Sequence, residues 1–199
     1  MNVKSSKIKT EMIIRKIKMK GLTEIMFDRY AGDNNTKLEP YQKLYLDPMD
    51  GETICMPSLN IVSFLSAHNT NSAPKRLRDK RRYKDIANSM LSFITISPSM
   101  IPFLREGNPI KFGKIENDVD SKSGIYVHRS VARLDKGIPN PKERPVLSLP
   151  WNLEFDLSIF PNKEIREEEI QNLFVEGGLA IGLGTFRGVF GKFVIDKWE

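Results

Sequence analysis

Trp151-Asn152-Leu153-Glu154-Phe155-Asp156-Leu157-Ser158-Ile159 alternates apolar and polar residues without a break. A period of two puts Trp151, Leu153, Phe155, Leu157 and Ile159 on one side of an extended chain and the polar residues on the other. That is the pattern of an antiparallel strand with one face in a core and the other in water. Pro161-Asn162 then turns the chain. Glu164 to Val175 reads as a helix that faces the sheet through Ile165, Ile170, Leu173 and Phe174, with Gly177 and Gly178 expected to cap it. A glycine-studded loop and a short apolar strand over Phe190 to Val194 follow. Strand, helix, loop and strand in this order predict an α+β domain.

Working outward, Met12 to Lys20 is rich in isoleucine and partly alternating, and reads as a first strand ended by Gly21. Leu44-Tyr45-Leu46 and Thr53-Ile54-Cys55-Met56 flank the turn-forming Asp47-Pro48-Met49-Asp50-Gly51, which predicts a hairpin. Pro57-Ser58 opens a helix with Ser58 as N-cap and Leu59, Val62, Phe64 and Leu65 towards the core. A further helix is expected around Tyr83 to Leu91, and Phe93 to Ile96 reads as a buried strand stopped at Pro98. Residues 105 to 145 are rich in Gly, Pro, Asn, Asp and Lys, with one strand expected over Gly124 to Leu134. The whole is read as one domain, 1–199, with a core from about 12–66 and 150–198 and an insertion or arm over about 69–145.

The 199 residues are 40% hydrophobic and 28% charged, ordinary values for a globular protein. The balance is basic: net charge +6 and a pI near 9.3. Such a chain suits an anionic partner, nucleic acid above all. Cys55 is the one cysteine, which excludes an internal disulfide, and His68 and His128 are the two histidines, too few for a zinc cluster. No phosphate-loop or dinucleotide fingerprint is present, so no cofactor is expected. Met1 to Thr10 lacks the apolar stretch of a signal peptide. The uncharged run Ile86 to Leu104 is broken by Asn88, Pro98 and Pro102. A cytoplasmic protein without membrane contact is expected.

Two segments carry candidate binding chemistry. Lys75 to Lys84 holds seven basic residues, Lys75, Arg76, Arg78, Lys80, Arg81, Arg82 and Lys84, against the single acid Asp79, so self-pairing leaves it positive. The glycine loop holds Gly182, Gly184, Phe186 and Arg187. Its exposed amides together with Arg187 and Lys192 suit a phosphate chain. Tyr83, Tyr126, Phe186 and Phe190 lie among basic residues; Tyr126 and Phe186 are the candidates for stacking on bases, and Phe190 is expected to be buried. His128 beside Arg129 is a candidate phosphate contact, and His68 reads as a helix C-terminal group. Asp28, Asp33, Asp47 and Asp50 match no calcium-loop spacing, and Asp47 and Asp50 suffice as turn formers. No catalytic residue is assigned.

The C-terminal helix, the glycine loop ending in Arg187 and the strand Phe190-Gly191-Lys192-Phe193-Val194 resemble the RAMP superfamily, the RRM-like, ferredoxin-fold proteins of CRISPR effector complexes. The first strand leading to Gly21-Leu22-Thr23 and the Cys55-Met56-Pro57-Ser58 entry to a helix look like its backbone-subunit branch. The layout is similar as well to stand-alone RAMP-like proteins of phages and mobile elements. The resemblance covers roughly residues 12 to 66 and 150 to 198. It implies a ferredoxin-like antiparallel sheet with helices on one face, binding single-stranded nucleic acid and polymerising along it. It further implies that Gly182, Gly184, Arg187, Gly188 and Gly191 shape a groove or neighbour contact, and that Lys75 to Lys84 is the inserted segment gripping the strand. The loop is longer and less regular than the family pattern. Asp28 or Asp33 lies near the aspartate of RNA-cleaving members, but the glycines around that aspartate are missing.

The resulting expectation is a non-enzymatic protein that binds RNA first and single-stranded DNA second, as a homo-oligomer or ribonucleoprotein. An alternative is an assembly module of a phage or mobile element whose basic segment docks on an acidic protein. A nuclease using Asp28 or His128 is the third reading.

Overall fold

The computed structural model describes residues 11–33, 36–67, 72–133 and 139–199. Along the chain it gives β1 (Ile13–Gly21), β2 (Ile25–Met26), β3 (Cys55–Pro57), α1 (Ser58–Ser66), α2 (Ala73–Leu77), α3 (Tyr83–Phe93), β4 (Ile94–Ser97) and β5 (Met100–Arg105). Then come β6 (Asn108–Pro109), β7 (Val119–Asp120), β8 (Ile125–Arg133), β9 (Pro139–Leu147), β10 (Asn152–Ile159), α4 (Glu167–Ala180) and β11 (Phe193–Trp198). Among the described residues the strands form two sheets, of seven and of four strands.

β1 and β10 are the centre of the larger sheet, paired antiparallel from Ile13↔Ile159 to Lys20↔Asn152. β11 pairs with the other edge of β1, and β4 and β5 share the other edge of β10, all antiparallel. β4 faces Asp156 to Ile159 and β5 faces Asn152 and Leu153, so the two act as one strand interrupted at Pro98. β1 reaches that strand through α1 to α3, crossing over β10. β10 reaches β11 through α4, crossing over β1. Two interlocked split β-α-β units are the ferredoxin-like arrangement, and the α+β expectation holds. The stretch 69–145 is not wholly an appendage, because β4 and β5 complete this sheet. The smaller sheet, in the order β2-β9-β8-β7, is what stands beside it.

The alternation of β10 is realised as read. Leu153, Phe155, Leu157 and Ile159 are buried and Glu154 is exposed. Trp151 is fully buried, with its indole N–H donating to the Thr23 carbonyl at 2.9 Å. Burying a side chain of this class contributes roughly 1.5–3 kcal/mol, so one face of β10 alone commits the sheet to its helical layer. Ile61, Phe64 and Leu65 of α1 and Ile170, Leu173 and Phe174 of α4 meet it from above. Phe174 is the hub, with ring centroids of Phe64, Trp198 and Phe155 at 6.0, 5.8 and 6.3 Å.

Four local expectations are corrected. Ser58 is the first helical residue of α1 and Pro57 the N-cap, with no side-chain cap bond. Leu59 points outwards, 74% exposed, because the i, i+3, i+4 stripe of α1 falls on Ile61, Phe64 and Leu65. Gly177 and Gly178 do not cap α4; they lie inside it. A Cβ on Gly177 would stand 2.5 Å from the Phe64 ring, and one on Gly178 would stand 2.5 Å from the Phe193 carbonyl oxygen. Their job is close approach of helix to helix and helix to strand. The closing strand accordingly starts at Phe193 rather than Phe190.

The first turn of α4 is stitched to two neighbouring strands of the sheet. Glu167 accepts from Arg15 of β1, with one contact at 3.0 Å, and from the indole N–H of Trp198 at 2.9 Å. Carboxylates also suit the positive end of a helix.

Gly191 is the glycine whose backbone freedom the fold requires. Its φ is +75°, and an added Cβ would stand 2.0 Å from the Leu183 carbonyl oxygen. Gly188 also has positive φ, +94°, but open space around it. Gly191→Ala is expected to lose about 2–4 kcal/mol in urea unfolding, against about 1 kcal/mol for Gly188→Ala. Equal losses would show that the backbone contact is not what demands glycine.

Candidate nucleic-acid interface

β8 and β9 form a long two-stranded arm in continuous register. Cross-strand partners share a face. Tyr126 with Val146, His128 with Arg144 and Ser130 with Lys142 make one face; Val127 with Pro145 and Arg129 with Glu143 make the other. The arm is rooted by Ile125 and Leu147, both fully buried in the main core. β2 pairs with the root through Ile25↔Leu147 and Met26↔Val146, and the chain continues beside β9, the Phe27 amide donating to the Pro145 carbonyl at 3.0 Å.

The glycine loop folds down onto this root. Thr185 donates its amide to the Met26 carbonyl, Gly191 to that of Glu24 and Gly188 to that of Ile181. Leu183 donates to Gly191, Phe190 to Phe186, and the Lys192 amide to the Thr23 hydroxyl at 2.9 Å. These amides of the loop, expected to greet phosphate, are occupied within the protein. Gly182 and Gly184 turn inwards too: Cβ atoms there would meet the Gly191 carbonyl group and the Met26 carbonyl oxygen at 2.7 and 2.5 Å. Arg187 is half-buried and donates Nε to the Gly184 carbonyl at 3.1 Å, and burial lowers its pKa. Sequence composition flagged the loop correctly as special; its specialness is internal packing.

What the loop presents outwards is Phe186. It is 63% exposed and sits at φ +50°, a left-handed conformation rare for a non-glycine residue. Its ring centroid lies 6.2 Å from that of Phe190, which lies 5.6 Å from His128 in an edge-on arrangement. Phe190 is buried as expected, in a small cluster with Met26 and Val146 against which Tyr126 packs. Tyr126 also donates its hydroxyl to the Glu24 carboxylate at 2.6 Å, and burial and that carboxylate push its pKa up to about 12. It is a packing residue more than a platform. Phe186, Phe190 and His128 thus form an aromatic series whose outer member is open, and it leads onto the arm face that carries Arg144 and Lys142.

The arm's opposite face is neutralised. Arg129 bonds Asp118 at 2.8 Å and Glu143 at 3.0 Å, and those two carboxylates raise its pKa. Arg144 and Lys142 were not singled out from sequence. They stand at alternate positions of a strand that reads as loop because of Pro139, Pro141 and Pro145. Arg144 is paired with Asp28 at 2.7 Å.

The basic run lies elsewhere. Arg78 is held against α4 by Glu169 at 2.6 Å and Glu176 at 3.1 Å, with its side chain 18% exposed. Lys75 stands over the Tyr83 ring at 5.6 Å. Arg76, Lys80, Arg81, Arg82 and Lys84 are exposed. Ser89 of α3 donates to Glu164, ahead of α4, whereas the glycine loop begins after its last residue. Arg78 touches α4 at Glu169 and again at Glu176, about one turn before the helix ends and the glycine loop begins. His68 lies outside the described residues. Asp28 is engaged by Arg144 and Asp33 by the amide and hydroxyl of Thr36 at 2.6 and 2.7 Å. Among the described residues no three His, Cys, Asp or Glu side chains gather as a metal site, and no helix is long and apolar enough to cross a membrane.

The open face of the main sheet also differs from the RNA-stacking surface of an RRM, which carries aromatics on its strands. Here β1 presents Lys16, Lys18 and Lys20 beside Glu154 and Asp156 of β10, with Lys18 and Glu154 3.0 Å apart.

Arg78→Met is expected to lower unfolding stability by about 1–2 kcal/mol, since two half-exposed carboxylates lose their partner. Arg81→Met is expected to stay within about 0.5 kcal/mol. Indistinguishable melting curves would place Arg78 with the surface cations.

No protein-family model and no curated protein matches the sequence. Solved structures do match in shape. One is a chain in the cryo-EM structure of the Type III-B Cmr-beta bound to cognate target RNA, with a TM-score of 0.51 and 10% identity. The match covers 95% of this chain and 60% of that one. At such identity the likeness concerns the fold, an α+β domain on an antiparallel sheet.

Proposed function

We propose that this protein is a RAMP-like binder of single-stranded nucleic acid, RNA before DNA, assembling in several copies along the strand. The observation that carries the reading is the exposed, conformationally strained Phe186 at the head of the Phe190–His128 series, beside the arm face that carries Lys142. A base stacks on an aromatic face whatever its identity, and neighbouring cations hold the phosphates. The excess positive charge of the whole chain favours the encounter. A similar fold in a chain of an RNA-bound complex supports the same direction.

A second reading rests on the position of the basic run. Arg76, Lys80, Arg81, Arg82 and Lys84 are exposed together on the helical side, which fits an acidic protein docking there.

Fluorescence anisotropy with labelled single-stranded RNA and DNA separates the two. Phe186→Ala is expected to weaken RNA binding about tenfold, in keeping with roughly 1–3 kcal/mol per stacked base. Lys142→Ala is expected to reduce the salt dependence by about one phosphate contact. An oligonucleotide affinity that ignores both substitutions but falls when Arg81 and Arg82 become Glu would move the site to the basic run. A folded protein that binds no oligonucleotide at low salt would leave the acidic-partner reading.

A further inference from the structure

Between the arm and the chain that follows β2 lies a cavity of about 290 Å³, and nothing in the stacking surface accounts for it. Its walls are the segment around Arg29, through residues 28–31, 33 and 36–38, on one side and Lys43 with Lys142 of β9 on the other. The segment is tied to Lys43 and its neighbour by the Arg29 amide, which donates to the Lys43 carbonyl at 3.2 Å, and by Arg29 Nε, which donates to the Gln42 carbonyl at 3.1 Å. Lys43 reaches across and donates its ammonium to the Glu143 carbonyl of β9. The cavity is thus held by bonds from both sides.

Its charge is unbalanced. Arg29, Lys37, Lys43 and Lys142 line it, against the carboxylates of Asp28 and Asp33. Both carboxylates already have partners: Asp28 is bonded to Arg144, and Asp33 to the amide and hydroxyl of Thr36. Four cations against two carboxylates leave an excess of two positive charges, and Arg144 beside Asp28 adds to it. Lys43 registers the crowding. Burial lowers its pKa first, and the nearby Arg144 and Lys142 lower it further, while Asp28 and Glu143 only partly compensate.

We infer that this cavity is a binding site for a phosphate monoester, held by Arg29, Lys37, Lys43 and Lys142. A monoester carries close to two negative charges at neutral pH, with three acceptor oxygens, whereas an internal diester carries one charge. The excess of two cationic groups favours the former, and charge-assisted bonds from ammonium and guanidinium are the strong class of hydrogen bond. The volume is of the order of the smallest ligand pockets, about 300 Å³, enough for a terminal nucleotide. Tyr30, 64% exposed, stands on the same wall and offers its ring to the attached base. The phosphate can come from the end of a bound strand or from a free mononucleotide. The first source rests on the nucleic-acid reading above, and the second does not.

The test uses the full-length protein and a twelve-nucleotide RNA with hydroxyl ends, a 5′-phosphate or a 3′-phosphate, followed by anisotropy. AMP and adenosine are titrated separately by calorimetry. One phosphorylated end, or AMP over adenosine, is expected to bind at least fivefold more tightly than its unphosphorylated counterpart. Lys37→Ala with Lys43→Met is expected to abolish that preference while leaving affinity for the hydroxyl-ended RNA within twofold. Lys37→Ala alone, at an exposed position, is expected to reduce it at least twofold and guards against misfolding of the double variant. A preference at a strand end identifies an end-reading site, and a preference for AMP alone a mononucleotide site. No phosphate preference with any probe, or a preference that survives both variants, overturns the proposal. Absence of RNA binding with AMP binding retained would remove the strand reading and keep this one.

Discussion

The pairing of β1 with β10 is the constraint on which everything else hangs. These two strands come from opposite ends of the chain, and their ladder runs without a shift from Ile13↔Ile159 to Lys20↔Asn152. Because side chains alternate, a slip by one residue would send Leu153, Phe155 and Leu157 into water and bring Glu154 and Asp156 under the helices. The register therefore fixes the face on which α1 and α4 pack. It also fixes where β10 hands over to α4, and so where the glycine loop emerges. Gly177 and Gly178 then let α4 sit close enough to Phe64 and Phe193 for the loop to reach β2. The loop's internal bonding to Glu24 and Met26 follows from that depth, and with it the outward presentation of Phe186.

Positive charge on this protein is distributed by partnering as much as by sequence density. The densest basic run contributes Arg78 to the helical layer, and Arg129 is absorbed by two carboxylates. The cations that converge on one face or one cavity are scattered in sequence over residues 29 to 43 and 142 to 144. A run of charge along a chain says how strongly a region repels itself. Only the fold says where opposite charges have already been met.

What could be read from the residues alone follows a physical divide. The alternation of Trp151 to Ile159 was legible because half-burial imposes a period of two on any sequence. The inward face of Ile165, Ile170, Leu173 and Phe174 followed from helical periodicity, and the burial of Phe190 from the general preference of aromatics for a core. The role of Gly177 and Gly178 did not, because a glycine needed for close approach looks the same in sequence as one needed for positive φ. β9 was hidden for a different reason. Pro139, Pro141 and Pro145 argue against a strand, yet all three share one parity. The Pro145 carbonyl faces Phe27, away from β8, so the missing donors of all three fall on that outer edge and the ladder to β8 stays whole. With β9 unseen, Lys142 and Arg144 could not be placed, nor could the cavity they border.

The arm formed by β8 and β9 has a mechanical consequence. Nine paired positions at about 3.3 Å each make a lever close to 30 Å long, clamped at one end by Ile125 and Leu147 in the main core. It behaves as a cantilever whose backbone is already ordered before any partner arrives. A strand lying along it would meet a preformed rail, so the loss of chain entropy on association falls on the incoming polymer. The Lys43 bond to the Glu143 carbonyl and the Asp28–Arg144 pair brace the arm again midway, so root and middle are both held against a load.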